Sequence, residues 1–305
     1  MRPFWLQQAL DSAQEAVCPP LQGDTRCDVC IVGGGYTGLW TALMLKEAVP
    51  ALDVVLIEAD ICGAGASGRN GGCALSWSAK YFTLERLFGA AEAVRLVRES
   101  ERSIADIGVF CAANGIDCDY RLDGTLYTAT NAAQVGATDA VIAALEHKGI
   151  NSFRRLPLEQ VQRLAGSGRH LEGWFSPAAA TVQPGKLVRG LRRVALQRGV
   201  RLYEGTAMTG LEHGAPVQVR TAHGTLRADR VVLGLNAWMA RVFPQFERSV
   251  AIVSSDMVIT EPCPELLRQI GLDSGISVLD SRIFVHYYHC LLYTSPSPRD
   301  QRGSR

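Results

Sequence analysis

Net charge is almost absent: 31 Lys and Arg stand against 30 Asp and Glu, a formal +1 over 305 residues. Binding to nucleic acid or to an anionic membrane surface draws on a basic excess, so both lose their electrostatic basis. Long apolar runs are missing too, and no stretch approaches the ~20 residues that a membrane helix needs. Near the N-terminus Gln7, Gln8, Asp11 and Glu15 interrupt the apolar segment that a signal peptide requires. The chain is therefore expected in the cytoplasm, with no membrane span and no nucleic-acid partner.

Paired cysteine motifs are scarce, although there are nine cysteines. Scattered thiols suit a protein kept reduced inside a cell. Cys27 and Cys30 form a C-x-x-C spacing. On a strand, residues three apart point to opposite faces, so the pair is expected to be core rather than a zinc or redox site. Cys111 and Cys118 flank a polar turn, and no second pair completes a metal site. His147, His170, His213, His223 and His286 show no partner spacing and read as surface or satisfied structural groups. His289 adds nothing. No Ser-His-Asp set is visible. With 47% hydrophobic and 20% charged residues, the chain has the composition of a globular protein and the length for two domains around a substantial core.

Against these absences stands one dense motif near the start. Cys27 to Val32 reads as a strand, followed by Gly33, Gly34, Gly35, Tyr36, Thr37 and Gly38 at the opening of a helix. In this spacing Gly33 makes the turn, Gly35 lets the backbone approach a pyrophosphate, and Gly38 lets helix and strand pack closely. The helix N-terminus offers free N–H groups and partial positive charge to the phosphates. Glu58 closes a second strand, Asp53 to Glu58, where a carboxylate can accept from the adenosine ribose hydroxyls. Strand, turn, helix, strand and acid in register predict dinucleotide binding.

A second loop narrows the dinucleotide. Residues 63 to 72 hold glycines at 63, 65, 68, 71 and 72 and almost no apolar side chain. Such a segment builds no core and suits close backbone approach to something bulky and polar. A nicotinamide cofactor needs one glycine loop; FAD adds an isoalloxazine that a second loop can cover. The combination resembles the amine-oxidising branch of the D-amino-acid oxidase superfamily of flavoproteins. Within it, Gly65-Ala66-Ser67-Gly68-Arg69-Asn70-Gly71-Gly72 is most similar to the γ-glutamylputrescine oxidase group. Pro3-Phe-Trp5 with Cys18 to Leu21 resembles the short N-terminal arm of that group. Thr181 to Gly190 resembles its central helix entry, and Asp229 to Trp238 the strand and loop that return to the FAD. The likeness covers roughly residues 3 to 289. Gln183 departs from it, since relatives often carry an acid or histidine there.

The resemblance implies an α/β fold: a Rossmann-type FAD-binding domain interleaved with an α+β substrate domain on a mostly antiparallel sheet. It places residues 1–80 and 171–248 in the first domain, and 81–170 and 249–289 in the second. It implies FAD as cofactor and a small-molecule amine and O2 as partners. The implied reaction removes hydride from the carbon next to an amine and delivers it to flavin N5; the imine hydrolyses and O2 reoxidises the flavin to give H2O2. A dehydrogenase passing electrons to a carrier is the alternative enzyme. An inactive nucleotide-binding fragment is the non-enzymatic one.

Candidate roles follow. Ala66, Ser67, Arg69, Asn70, Gly71 and Gly72 lie in the loop expected to face the cofactor. Arg69 and Asn70 either contact the pyrophosphate or flavin edge or face solvent. Ser67 is a phosphate donor or a simple turn residue. Asn236 and Trp238 brace the cofactor, or Trp238 is an ordinary core aromatic. Tyr287 and Tyr288, adjacent on a strand, face opposite sides, and one can wall a substrate cavity or both can pack.

Periodicity predicts a helix from Tyr81 to Ala113, a hairpin turn at Arg121 to Gly124 into a strand from Thr125, and helices over 132–148, after Pro157, and over 185–198. Short strands are expected at 200–204, 208–212, 217–221 and 230–233. The last stretch, 290–305, breaks every trend and is Ser/Pro/Arg-rich. It is similar to a translated transposase-type sequencing adapter and is expected to be a non-native tail on an incomplete substrate domain.

Overall fold

A computed structural model of the chain describes residues 2–12, 15–253, 257–282 and 285–290. The expected foreign tail lies outside these residues from 291 onward. In chain order the strands begin with β1 (Thr25–Val32), β2 (Val54–Ile57), β3 (Cys73–Leu75), β4 (Thr125–Ala129) and β5 (Arg154–Arg155). They continue with β6 (Glu172–Ser176), β7 (Ala179–Thr181), β8 (Arg201–Tyr203) and β9 (Gly210–Glu212). The last four are β10 (Val217–Arg220), β11 (Thr225–Leu233), β12 (Ser277–Asp280) and β13 (Tyr287–His289). The helices are α1 (Phe4–Ser12), α2 (Tyr36–Ala48), α3 (Tyr81–Phe88), α4 (Ala90–Ala113) and α5 (Asp139–His147). α6 (Leu158–Leu164), α7 (Pro184–Gln197), α8 (Met239–Val242) and α9 (Pro264–Ile270) complete them.

The chain divides into two units. The first comprises residues 1–70, 114–118 and 183–257. Its sheet has the order β8-β2-β1-β11-β10-β9, parallel from β8 to β11 and antiparallel at the β10 and β9 edge. The β1–α2–β2 crossover forms as the sequence pattern predicts. Val54 to Ile57 are all buried, as befits a central parallel strand covered on both faces. Leu39, Ala42 and Leu43 of α2 are buried, and burial of each leucine contributes roughly 1.5–3 kcal/mol.

Cys27 and Cys30 pack in one core cluster with Val32, Val55 and Ile57 rather than on opposite faces. The expected alternation fails because it slips a step at Asp28, where the N–H groups of Asp28 and Val29 both donate to the Asp53 carbonyl. The partner strand slips in the same place: Ala228 is buried, Asp229 and Arg230 are both exposed, and Val231 rejoins the cluster. The thiols are nonetheless core residues; burial raises Cys27 to about 11 and pushes Cys30 up further.

The second unit comprises, among the described residues, 71–113, 119–182 and those from 258 to 290. Its five-stranded sheet, β13-β12-β4-β6-β5, is antiparallel except between β12 and β4. Residues 71–80 and 171–182, grouped on sequence with the first domain, fall here because β3 pairs with β7 and β6 with β4. The expected long helix is two: Gly89, at φ +82°, separates α3 from α4. Gly136, at φ +77°, likewise leaves a short 3-10 turn ahead of α5, so the helix expected over 132–148 begins at Asp139. Gly124 turns the chain into β4, but no hairpin partner precedes it; Arg121 makes a single bridge to Thr181. Among the described residues, no helix is long and apolar enough to cross a membrane.

Candidate functional site

The site grows from the two glycine loops of the first unit. At the end of β1, Gly33 takes φ +112° and its N–H donates to the Ile57 carbonyl, 2.8 Å away. A Cβ here would overlap the Gly234 carbonyl, and one at Gly38 would overlap the Gly33 carbonyl, so both positions exclude a side chain. The Gly34 N–H donates to Glu58 Oε2 at 2.7 Å, and the Asp60 N–H donates to Oε1 at 3.0 Å. Glu58 thus closes the turn with both carboxylate oxygens. Burial raises its carboxyl above the ordinary glutamate value, while the two N–H groups act in the opposite sense.

The loops are joined directly. The Gly63 N–H donates to the Gly34 carbonyl at 3.0 Å, and the Tyr36 N–H, in the first turn of α2, donates to Ser67 Oγ at 2.9 Å. Gly35 precedes the helix with no side-chain cap, and any Cβ there would press on Ser67 Oγ. Ala66 to Gly68 form a 3-10 turn. Asn70 Nδ2 donates to the carbonyls of Ala66 and Ser67, and Arg69 Nε to that of Ala64 at 2.8 Å. These two side chains brace their own loop. At Gly65 the space for a Cβ is open. The result is a cradle of bare backbone at a helix N-terminus with a carboxylate at its rim, which fits a dinucleotide pyrophosphate and its ribose.

Tyr36 adds a tie that the motif does not foretell: its hydroxyl donates to the Pro184 carbonyl at the start of α7, 2.9 Å away. Thr37 stands in the first turn of α2, and its carbonyl accepts from Thr41 Oγ1. After β11, Asn236 takes φ +49°, and its Oδ1 accepts from the Ala237 N–H. Trp238 is 54% exposed rather than a core aromatic, with the Arg241 guanidinium 5.2 Å from its ring centre.

Behind the second loop lies a buried ionic cluster that the sequence motifs miss. Arg189 and Arg192 of α7 face Glu204 and Glu15. Glu204 Oε1 accepts from the Cys62 N–H at 2.8 Å, and Arg189 Nη1 donates to the Cys62 carbonyl at 3.1 Å. Burial alone would raise the Glu204 carboxyl, but Arg192, the Cys62 N–H and the charge of Arg189 together bring it below the ordinary value. The available signal was the pair of arginines among Leu187, Val188, Leu191 and Val194, on the inward stripe of α7.

In the second unit, Gly71 and Gly72 run into β3, and the Gly72 carbonyl accepts from the Val182 N–H at 2.8 Å. His289, uninformative in the sequence, brings Nε2 to 2.7 Å from the Gly71 carbonyl. Tyr288 donates its hydroxyl to the Ala165 carbonyl at 2.7 Å and lies 3.0 Å from His170 Nε2. Tyr287 is the half-buried neighbour on β13. His170 is buried, and that burial lowers its basicity against the opposing charge of Asp280. Among the described residues, no group of His, Cys, Asp or Glu could hold a metal ion.

Comparison with known proteins agrees with this geometry. Residues 28–290 match the family model described as FAD dependent oxidoreductase. The chain is 32% identical over 264 residues to gamma-glutamylputrescine oxidoreductase of Escherichia coli (strain K12), covering 86% of this chain and 61% of that one. It is 31% identical to a probable oxidoreductase of Rhizobium meliloti (strain 1021), covering 94% of this chain and 69% of the relative. Among solved structures, L-amino acid deaminase from Proteus vulgaris matches with a TM-score of 0.61 at 22% identity, over 76% of this chain and 58% of that chain. This chain therefore spans about three fifths of the length of its E. coli relative. By the family match over 28–290, it belongs to the FAD dependent oxidoreductase family.

Proposed function

We propose that the chain is the cofactor- and substrate-binding part of an oxidoreductase that oxidises the C–N bond of an amine or amino-acid-like substrate, with O2 as acceptor and H2O2 as product. The observation that carries this reading is the joined pair of glycine loops with Glu58 at its rim. The relatives whose printed names include an amine or an amino acid support the substrate class.

FAD belongs to the first unit in this reading, and the substrate to the second. The turn from Gly33 to Gly38 and the opening of α2 hold the pyrophosphate through those backbone N–H groups that Ile57, Glu58 and Ser67 do not already take, and Glu58 accepts from the ribose hydroxyls. Ser67, Arg69 and Asn70 shape the second loop against the cofactor, and Asn236 and Trp238 line its return. Bound FAD supplies an electron-pair acceptor for hydride. The protein's own share is to orient the amine and to keep water away, for which Tyr287 on β13 offers an aromatic surface. A reducing cytoplasm suits the nine free thiols.

Fluorescence-detected titration of the purified chain with FAD tests the first half. Saturable binding that is weakened by Glu58→Ala is the expected result; no uptake at any concentration sinks the reading for this chain. An amine-dependent peroxide assay on a form extended to the relatives' length tests the second half. Amine-dependent dye reduction without peroxide would make the enzyme a dehydrogenase instead.

A further inference from the structure

The described residues of the N-terminal arm, 2–12 and 15–18, touch the second glycine loop and its supports at several separate places. Arg2 pairs with Asp60 just ahead of the loop. A Cβ on Gly68 would meet Leu6 Cβ, so α1 lies directly against the 3-10 turn that carries Ser67. Gln183 Nε2 donates to the Trp5 carbonyl at 2.9 Å and to Gln8 Oε1 at 3.0 Å, fastening α1 to the start of α7. Beyond α1, Glu15 pairs with Arg189 and Arg192, and the Ala16 carbonyl accepts from Arg192 Nη2 at 2.7 Å. Through Arg189 and Glu204, that cluster holds both the N–H and the carbonyl of Cys62, the residue that opens the loop.

We infer that the arm is a positioning strap for the second glycine loop, with Glu15 as its anchor: it holds Ser67 where it meets the opening of α2, so that the cofactor cradle stands formed before any ligand arrives. A surface ion pair would be worth little, but these guanidiniums are almost wholly buried. Removing one carboxylate leaves a buried positive charge short of a partner, which loosens what that charge holds. The part of the inference that concerns cofactor affinity rests on the FAD reading above; the part that concerns the loop does not.

The test is hydrogen exchange of residues 62–70 in the ligand-free 305-residue chain, alongside FAD titration of the same preparations. Glu15→Gln is expected to speed exchange there on the order of tenfold and to weaken FAD by a similar factor, the size typical of positional coupling. Glu15→Asp should restore both. Exchange at wild-type rate in Glu15→Gln overturns the inference, as does faster exchange spread evenly over the whole unit, which is what a merely structural role predicts. If the wild-type chain takes up no FAD, the cofactor reading falls while the exchange result still decides the strap. Should Glu15→Gln fail to fold, Arg2→Gln, at a partly exposed pair, is read by the same two outcomes.

Discussion

Glu58 accepts from two backbone N–H groups while sitting in a half-buried position, and those facts pull its protonation in opposite directions. Burial prevails, so its folded value lies above the unfolded one. Between the ordinary glutamate value and the raised one, the folded chain keeps a proton that the unfolded chain has released. Stability from this group is therefore fully present below the unfolded value and declines as pH rises through the folded one. Urea titrations from the ordinary glutamate value upward in pH should show this slope, and Glu58→Gln should flatten it. A parallel slope in the variant would assign the proton to another group. Residue types at this scale were legible where geometry admits only one solution, as at Gly33 and Gly38. Ser67 was half-legible: it was expected as a phosphate donor or a simple turn residue, and its Oγ accepts from the Tyr36 N–H, a role that neither reading named. The hydroxyl proton is still there to donate, because one Ser oxygen can accept and donate at once.

At the scale of elements, α7 buries an apolar stripe with two arginines set into it, and its start is fixed by a buried glutamine. Gln183 is its N-cap: Oε1 accepts from the Lys186 N–H at 2.6 Å, while Nε2 donates to Trp5 and Gln8. Gln183→Ala should cost roughly 1–2 kcal/mol in denaturant unfolding, since the cap and two bonds are lost together. Gln183→Glu keeps the cap but turns a buried carboxylate toward the Trp5 carbonyl, which can only accept. It should be the more damaging change at neutral pH and should recover in acid, where the carboxyl regains a proton to donate. Equal losses at both pH values would show that the side chain serves the cap alone. The helix expected over 185–198 forms at Pro184–Gln197, and its end was readable from Gly199. The breaks at Gly89 and Gly136 were not, because apolar periodicity runs on across both glycines and only a positive φ reveals the interruption.

At the scale of the whole molecule, the fold class was legible because a β–α–β crossover with its acid is a local pattern. The interleaving of the two units came from resemblance alone. Strands such as β4 and β12 are about 150 residues apart in sequence, a separation that no local pattern encodes. Six of the nine cysteines are buried, and Cys73, Cys263 and Cys290 are half-buried. A thiol reagent under native conditions should therefore modify at most three sites quickly, with the other six reacting only on unfolding. Cys73 should lag the other two, because burial lifts its thiol to about 11. Rapid reaction of six or more would mean that the cores described for the two units do not form.

The link between Glu15 and Arg189 spans 174 residues of sequence. On the ribosome the arm emerges well before its partners. At ~5–20 residues per second, on the order of ten seconds or more passes before α7 and β8 are available. Throughout that interval the carboxylate of Glu15 lacks both of its arginines. A newly made chain therefore presents an unfastened arm to chaperones and proteases until α7 has been made.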